Sequence, residues 1–214
     1  MGFVCNGRYV LDAVTEAGAN KYVDLQIRCL GETYSDITDA EFAARHRADK
    51  ANLLEEFAEN IAAPGARAWL AYEVPGWTPS GGLSCAVGAS LEWENPVGLG
   101  LSRPGPLSWE SYMPVTPVPE GTRELTQLYT LASTHGTGLG QAMFDALIYP
   151  DEDAYLWVIR GNERGVRFYE KNGFSLEGTF FECGGAWSPE PEIAATLPPE
   201  KIAHTGRMFR GITV

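Results

Sequence analysis

One stretch limits the possible folds of this chain more than any other. Ser133-Thr-His-Gly-Thr-Gly-Leu-Gly-Gln141 is set between a strand-like run at 125–131 and a helical stripe of Leu139, Met143, Ala146 and Leu147. A strand that turns through several glycines straight into a helix leaves the first helical N–H groups without intrahelical partners and lets them converge. Such a terminus suits an anion, and a phosphate group fits it. The segment lacks the Gly-Lys-Ser/Thr ending of a nucleoside-triphosphate loop. It also misses the dinucleotide spacing, because counting from Gly138 and Gly140 puts Met143 at the third glycine position.

The rest of the chain reads as one domain, residues 1–214, large enough to bury a core without disulfides or metals. Its hydrophobic fraction of 44% with 21% charged residues is that of a folded globular protein. A formal charge of −12 argues against a nucleic-acid surface and suits a cationic or neutral acceptor. The cysteines Cys5, Cys29, Cys85 and Cys183 are far apart and show no ligand spacing, so we expect no metal and reduced thiols in a cytoplasmic protein. No signal peptide and no run of ~18 apolar residues is present, so no membrane is expected.

Residues 9–14 read as a first strand, and Val23, Ile27, Leu30 and Tyr34 recur at helical spacing. A turn at Ser35-Asp36-Ile37-Thr38 leads to a second helical stretch carrying Phe42, Leu53, Leu54, Phe57 and Ile61, which stops before Pro64-Gly65. Residues 69–74 and 83–93 read as an antiparallel strand pair around a Pro/Gly turn, and 95–121 as a loop rich in Pro and Gly. After the glycine segment, 155–159 is a strand. Asn162 and Gly173 bracket a short helix with Val166 and Tyr169. Strands at 174–181 and 202–209 flank an acidic, Pro-rich segment at 184–200.

The run Leu-Tyr-Thr-Leu-x-x-x-His-Gly-Thr-Gly-Leu-Gly-Gln ends at Gln141. It is followed by Asn162-x-x-Gly-x-x-Phe168-Tyr169-x-Lys171-x-Gly173-Phe174. Together they resemble the two signature motifs of the GNAT N-acetyltransferases in order and spacing. Arg28-Cys-Leu-Gly-Glu-Thr-Tyr34 is similar to the first-helix segment of bacterial members. The resemblance implies an α/β (mixed α+β) GNAT fold: a central, mostly antiparallel twisted sheet of about six to seven strands flanked by about four helices.

It also implies acetyl-coenzyme A as co-substrate and no metal, with the pyrophosphate on the amides of Gly136, Thr137, Gly138, Leu139, Gly140 and Gln141. The family usually has Gln or Arg where His135 stands. Leu128, Tyr129 and Thr130 would pair through their backbone with the pantetheine arm and direct an amide at the thioester oxygen. Asn162 is either a helix cap or a cofactor contact. Tyr169 is the family's usual proton donor to the leaving thiolate, and a tyrosine on an amphipathic helix is otherwise simply packed.

An alkylamine must lose a proton before it attacks, and Glu124 is the first candidate for the base, the alternative being a solvated residue at a strand entrance. A base on the next strand, used in some family branches, is absent because Trp157 stands there. Glu32, Tyr34, Trp93 and Tyr112 are candidates for the acceptor pocket. The expected reaction is acetyl transfer to a primary amine, on a small molecule or on a protein terminus or lysine, by a monomer or homodimer. A non-catalytic acyl-CoA-binding or regulatory module is the alternative.

Overall fold

A computed structural model describes residues 3–5, 7–74 and 94–211. Its centre is an eight-stranded sheet. In chain order the strands are β1 (Phe3–Cys5), β2 (Tyr9–Ala13), β3 (Arg67–Glu73), β4 (Pro96–Pro104), β5 (Arg123–Thr130), β6 (Ala154–Ile159), β7 (Ser175–Glu182) and β8 (His204–Arg210). They lie side by side as β1-β2-β3-β4-β5-β6-β8-β7, and every neighbouring pair is antiparallel except β5 with β6. The mixed, mostly antiparallel sheet expected from the motifs is therefore present, with the short edge strand β1 added.

The helices are α1 (Ala19–Tyr34), α2 (Phe42–Ala48), α3 (Lys50–Ala62), α4 (Leu139–Leu147), α5 (Glu163–Lys171) and the single turn α6 (Pro191–Ala194). Helices α1 and α3 cover one face of the sheet, where Tyr22, Val23, Leu53 and Phe57 pack on Leu70, Leu99 and Leu101. Helix α4 covers the other with Phe144 and Leu147 against Leu125 and Leu156, and α5 joins it through Val166 and Phe168. Among the described residues no helix is long and apolar enough to cross a membrane.

Two readings of the sequence change here. The second helical stretch is two helices, because the backbone at Asp49 leaves helical geometry (φ −85, ψ 8) between α2 and α3. The partner of β3 is β4, which lies inside the segment read as a loop at 95–121. Its Pro and Gly residues hide the strand, but the glycines have a packing reason. A Cβ on Gly98 would strike Met143 Sδ at 2.8 Å, and one on Gly100 would strike Leu147, so α4 can seat against β4 only over bare backbone. The strand expected at 83–93 lies outside the described residues.

The remainder of that loop is tied down. Residues Ser108–Tyr112 form a 3-10 turn. Beyond it Thr116 N–H donates to Glu177 at 2.9 Å, while the buried Arg207 guanidinium donates to the Thr116 carbonyl and to both oxygens of Glu177.

Candidate functional site

The site is built by a fault in the sheet. Strand β5 carries one extra residue relative to β4, since Leu101 faces Gln127 and the adjacent Ser102 faces Leu125, leaving Thr126 bulged. On its other side β5 pairs with β6 only through Arg123–Ala154, Glu124–Tyr155 and Leu125–Leu156. Beyond Leu125 the two strands separate. The backbone of β5 from Thr126 onward thus has no strand partner on that edge, which leaves donors and acceptors for an extended ligand. The wedge is a cleft of about 400 Å³.

The open end of the wedge is the glycine segment. Gly136 (φ 77) and Gly138 (φ 86) are left-handed, a conformation that disfavours any side chain. Gly138 is the N-cap of α4, so the amides of Leu139, Gly140 and Gln141 open that helix without intrahelical partners. Leu139 and Thr137 take their side chains away from the cleft. Leu139 is wholly buried in the core, and the Thr137 hydroxyl donates to the Thr134 carbonyl at 2.6 Å and meets the Tyr9 hydroxyl at 3.1 Å. These contacts brace the loop. Gln141 donates to Asp145 and to Asn172, joining α4 to the end of α5.

Of the expected cofactor residues, Leu128, Tyr129, Thr130, Gly136, Gly138, Gly140, Gln141 and Asn162 line the cleft. Asn162 is a helix cap, accepting from Gly165 N–H at 3.0 Å, and its amide also donates to the Tyr34 hydroxyl at 3.3 Å. The cap and the cleft wall are the same residue. Sequence reasoning passed over two cations at the open end, Arg164 and Lys171. Arg164 lies against the ring of His135. Burial and then that guanidinium hold the imidazole below its ordinary pKa, so His135 is a neutral group there.

Tyr169 lines the cleft from α5, with its ring against Phe168 and Phe174. Burial, reinforced by the nearby Tyr34 hydroxyl, pushes its phenol above the ordinary value, so it stays protonated. Tyr34 is buried and packs edge-on to Tyr129 and Trp187.

Glu124 sits beside the point where β5 and β6 part. It is only 4% exposed, which removes the reading of a solvated residue at a strand entrance. Burial first, and then the charge of Glu110, raise its pKa to about 8, with Arg103 opposing. The Thr126 hydroxyl tempers the rise from nearby, although it makes no hydrogen bond of good geometry.

Two other acceptor candidates fall elsewhere. Tyr112 is 87% exposed and does not line the cleft. Glu32 accepts from Ala132 N–H at 3.0 Å and from Arg28, and so ties α1 to the end of β5 rather than facing the cleft. Trp93 lies outside the described residues. Among the described residues no group of three His, Cys, Asp or Glu is arranged to hold a metal ion.

Residues 24–174 match the Acetyltransferase (GNAT) family. An uncharacterized N-acetyltransferase of Mycobacterium tuberculosis (strain ATCC 25618 / H37Rv) is 38% identical over 61 residues, 26% of this chain and 39% of that relative. The match thus spans well under half the length of the curated relative.

Among solved structures, a PaiA N-acetyltransferase from Thermoplasma acidophilum in complex with coenzyme A aligns with a TM-score of 0.53 and 15% identity, over 94% of this chain and 98% of its own. An HPA2-related acetyltransferase from Corynebacterium glutamicum aligns with a TM-score of 0.52 and 19% identity, over 97% and 98%. At these identities the likeness is one of fold. The family match runs from α1 through the splayed strands to the end of the second motif, and on it the chain belongs to the GNAT family of acetyltransferases.

Proposed function

We propose that this chain transfers an acetyl group from acetyl-coenzyme A to a primary amine by direct attack, with Glu124 as general base and Tyr169 as general acid. The observation that carries this reading is the splayed pair β5 and β6, an unpaired strand edge that leads into the helix N-terminus at Gly138. The residues present fit the cofactor. A Cβ at Gly136 would meet nothing within 4 Å, which leaves room beside the loop amides, and Arg164 and Lys171 place positive charge at the same end.

When bound, acetyl-coenzyme A supplies a thioester whose carbonyl carbon an amine can attack. The unpaired edge of β5 orients the extended arm, and an amide on it stabilises negative charge on the carbonyl oxygen. Glu124, as carboxylate, takes the proton that an alkylammonium must lose, directly or through water. Tyr169, held neutral by its burial, donates its proton to the departing sulfur.

The test is calorimetric titration of the full chain with acetyl-CoA, CoA, NAD and ATP, followed by amine-dependent thiol release. Selective binding of acetyl-CoA with thiol release is the expected result. No binding of acetyl-CoA by a folded chain would sink the reading. Binding without thiol release across primary amines would leave only a non-catalytic acyl-CoA-binding module.

A further inference from the structure

Tyr34 from the end of α1, Tyr129 from β5 and Tyr169 from α5 all line the cleft, and Tyr34 is only 4% exposed. The Tyr34 ring stands edge-on to Tyr129, Phe42 and Trp187, with centroids 6.4, 6.0 and 5.2 Å away, and this packing holds it in the wall. Its hydroxyl is aimed by the cap of α5. Asn162 Oδ1 is taken by Gly165 N–H at 3.0 Å, which turns the amide nitrogen toward Tyr34, and that nitrogen donates to the Tyr34 oxygen at 3.3 Å. The Tyr129 hydroxyl interacts with the same oxygen, and the Tyr169 hydroxyl is close enough to couple electrostatically to the group.

A phenol that gives up its proton in such a wall becomes a buried anion, and burial opposes that at all three tyrosines. They differ in what offsets it. At Tyr169 the charge of Arg164 alone favours the anion, whereas Tyr34 has hydrogen bonding from Tyr129 and Asn162 as well as Arg164. At Tyr129 every neighbour opposes ionisation. Cys183, the remaining titratable neighbour of Tyr34, is itself pushed up by burial and stays a thiol. A charge on Tyr34 opposes one on Tyr169, so the pair carries at most one negative charge, and it rests best on Tyr34. An oxygen that accepts from two groups also has its own proton free for a third partner.

Resting on the acetyl-transfer reading of the cleft, we propose that Tyr34 is a positioning residue for the proton donor: its hydroxyl, held as an acceptor by Asn162 and Tyr129, donates to the Tyr169 oxygen and replaces the proton that Tyr169 gives to the departing sulfur. The carbon–sulfur bond breaks, the sulfur takes the Tyr169 proton and becomes a thiol, Tyr169 takes the Tyr34 proton, and the negative charge ends on Tyr34. The acceptor nitrogen sheds two protons in passing from ammonium to amide. One goes to Glu124 and on to solvent, and the other, through solvent, restores Tyr34. Tyr34 thus serves the leaving group rather than the acceptor.

The experiment measures thiol release from acetyl-CoA by the full chain, with 1,4-diaminobutane and with hydroxylamine as acceptors, beside calorimetric titration with CoA. The proteins compared are wild type, Tyr34→Phe, Tyr169→Phe and the double variant. Tyr34→Phe keeps the ring and its packing. It should lower kcat about 10-fold with acceptor KM and CoA affinity nearly unchanged, and should cause no further fall when added to Tyr169→Phe, because a residue acting through that phenol has nothing to supply once it is gone. The fall should persist with hydroxylamine, which is mostly unprotonated at neutral pH and does not need Glu124. Asn162→Ser keeps an oxygen for Gly165 N–H but not the amide donor, and should give a smaller fall that vanishes in the Tyr34→Phe background. A raised acceptor KM at unchanged kcat would make Tyr34 an acceptor contact and overturn the proposal. So would a Tyr34→Phe rate equal to wild type, or the same fall with and without Tyr169. A wild type that accelerates thiol release with neither acceptor would instead remove the acetyl-transfer reading on which this rests.

Discussion

Burial acts on Tyr169 and Glu124 in the same direction, toward the neutral form, and the proposed mechanism gives them opposite tasks. A phenol that stays protonated is a donor at any physiological pH, so Tyr169→Phe should lower kcat by about 100-fold or more while acetyl-CoA affinity changes little. Steady-state rates beside calorimetry check this, and an unchanged rate removes Tyr169 from the mechanism. A carboxyl with a pKa of about 8 becomes a base only as pH rises through that value, so kcat/KM should climb on the alkaline side in the wild type. Glu124→Gln should flatten that limb, and an identical pH profile would exclude Glu124 as the base. Both positions were singled out in the sequence, Tyr169 by the second motif and Glu124 by its place at the head of a strand. Glu110 was not, because nothing in Leu-Ser-Trp-Glu-Ser-Tyr marks which side chain turns inward; its burial depends on Tyr155, 45 residues away.

At the scale of elements, the glycine segment was legible because it needs only local rules: positive φ, an exposed helix start and the stripe of α4. Gly138→Val forces a β-branched residue into the left-handed region at the N-cap and should weaken CoA binding about 10-fold or more, measured by titration with the fold confirmed by circular dichroism. An unchanged affinity would undermine the phosphate loop. Strand β4 was illegible for a tertiary reason. Its glycines look like loop residues until α4 is laid across them and Met143 and Leu147 claim the space. Gly100→Val should therefore cost about 1–3 kcal/mol of stability through overpacking, read as a lower melting temperature. A variant as stable as the wild type would show that α4 is not seated on β4 as described.

For the molecule as a whole, Glu124 links stability to pH. Folded, it keeps its proton up to about pH 8; unfolded, it loses it near the ordinary glutamate value of 4.5. Between those values the native state binds more protons than the unfolded chain, so this stabilisation is full below the lower value, declines as pH rises and is gone above the upper one. The melting temperature should thus fall between about pH 5 and pH 8, and Glu124→Gln should lessen the fall; an equal fall in both proteins would contradict the assignment. The amino-acid sequence alone determined the strand that enters the glycine segment, the helix that leaves it and the family, because these follow from short-range periodicity, backbone sterics and motif spacing. Tertiary structure decided the bulge at Thr126, the parting of β5 from β6, the strand hidden in Pro96–Pro104 and the burial of Glu110 and Glu124. Each of these depends on register, close packing or a low-dielectric neighbour supplied by residues far away in the chain.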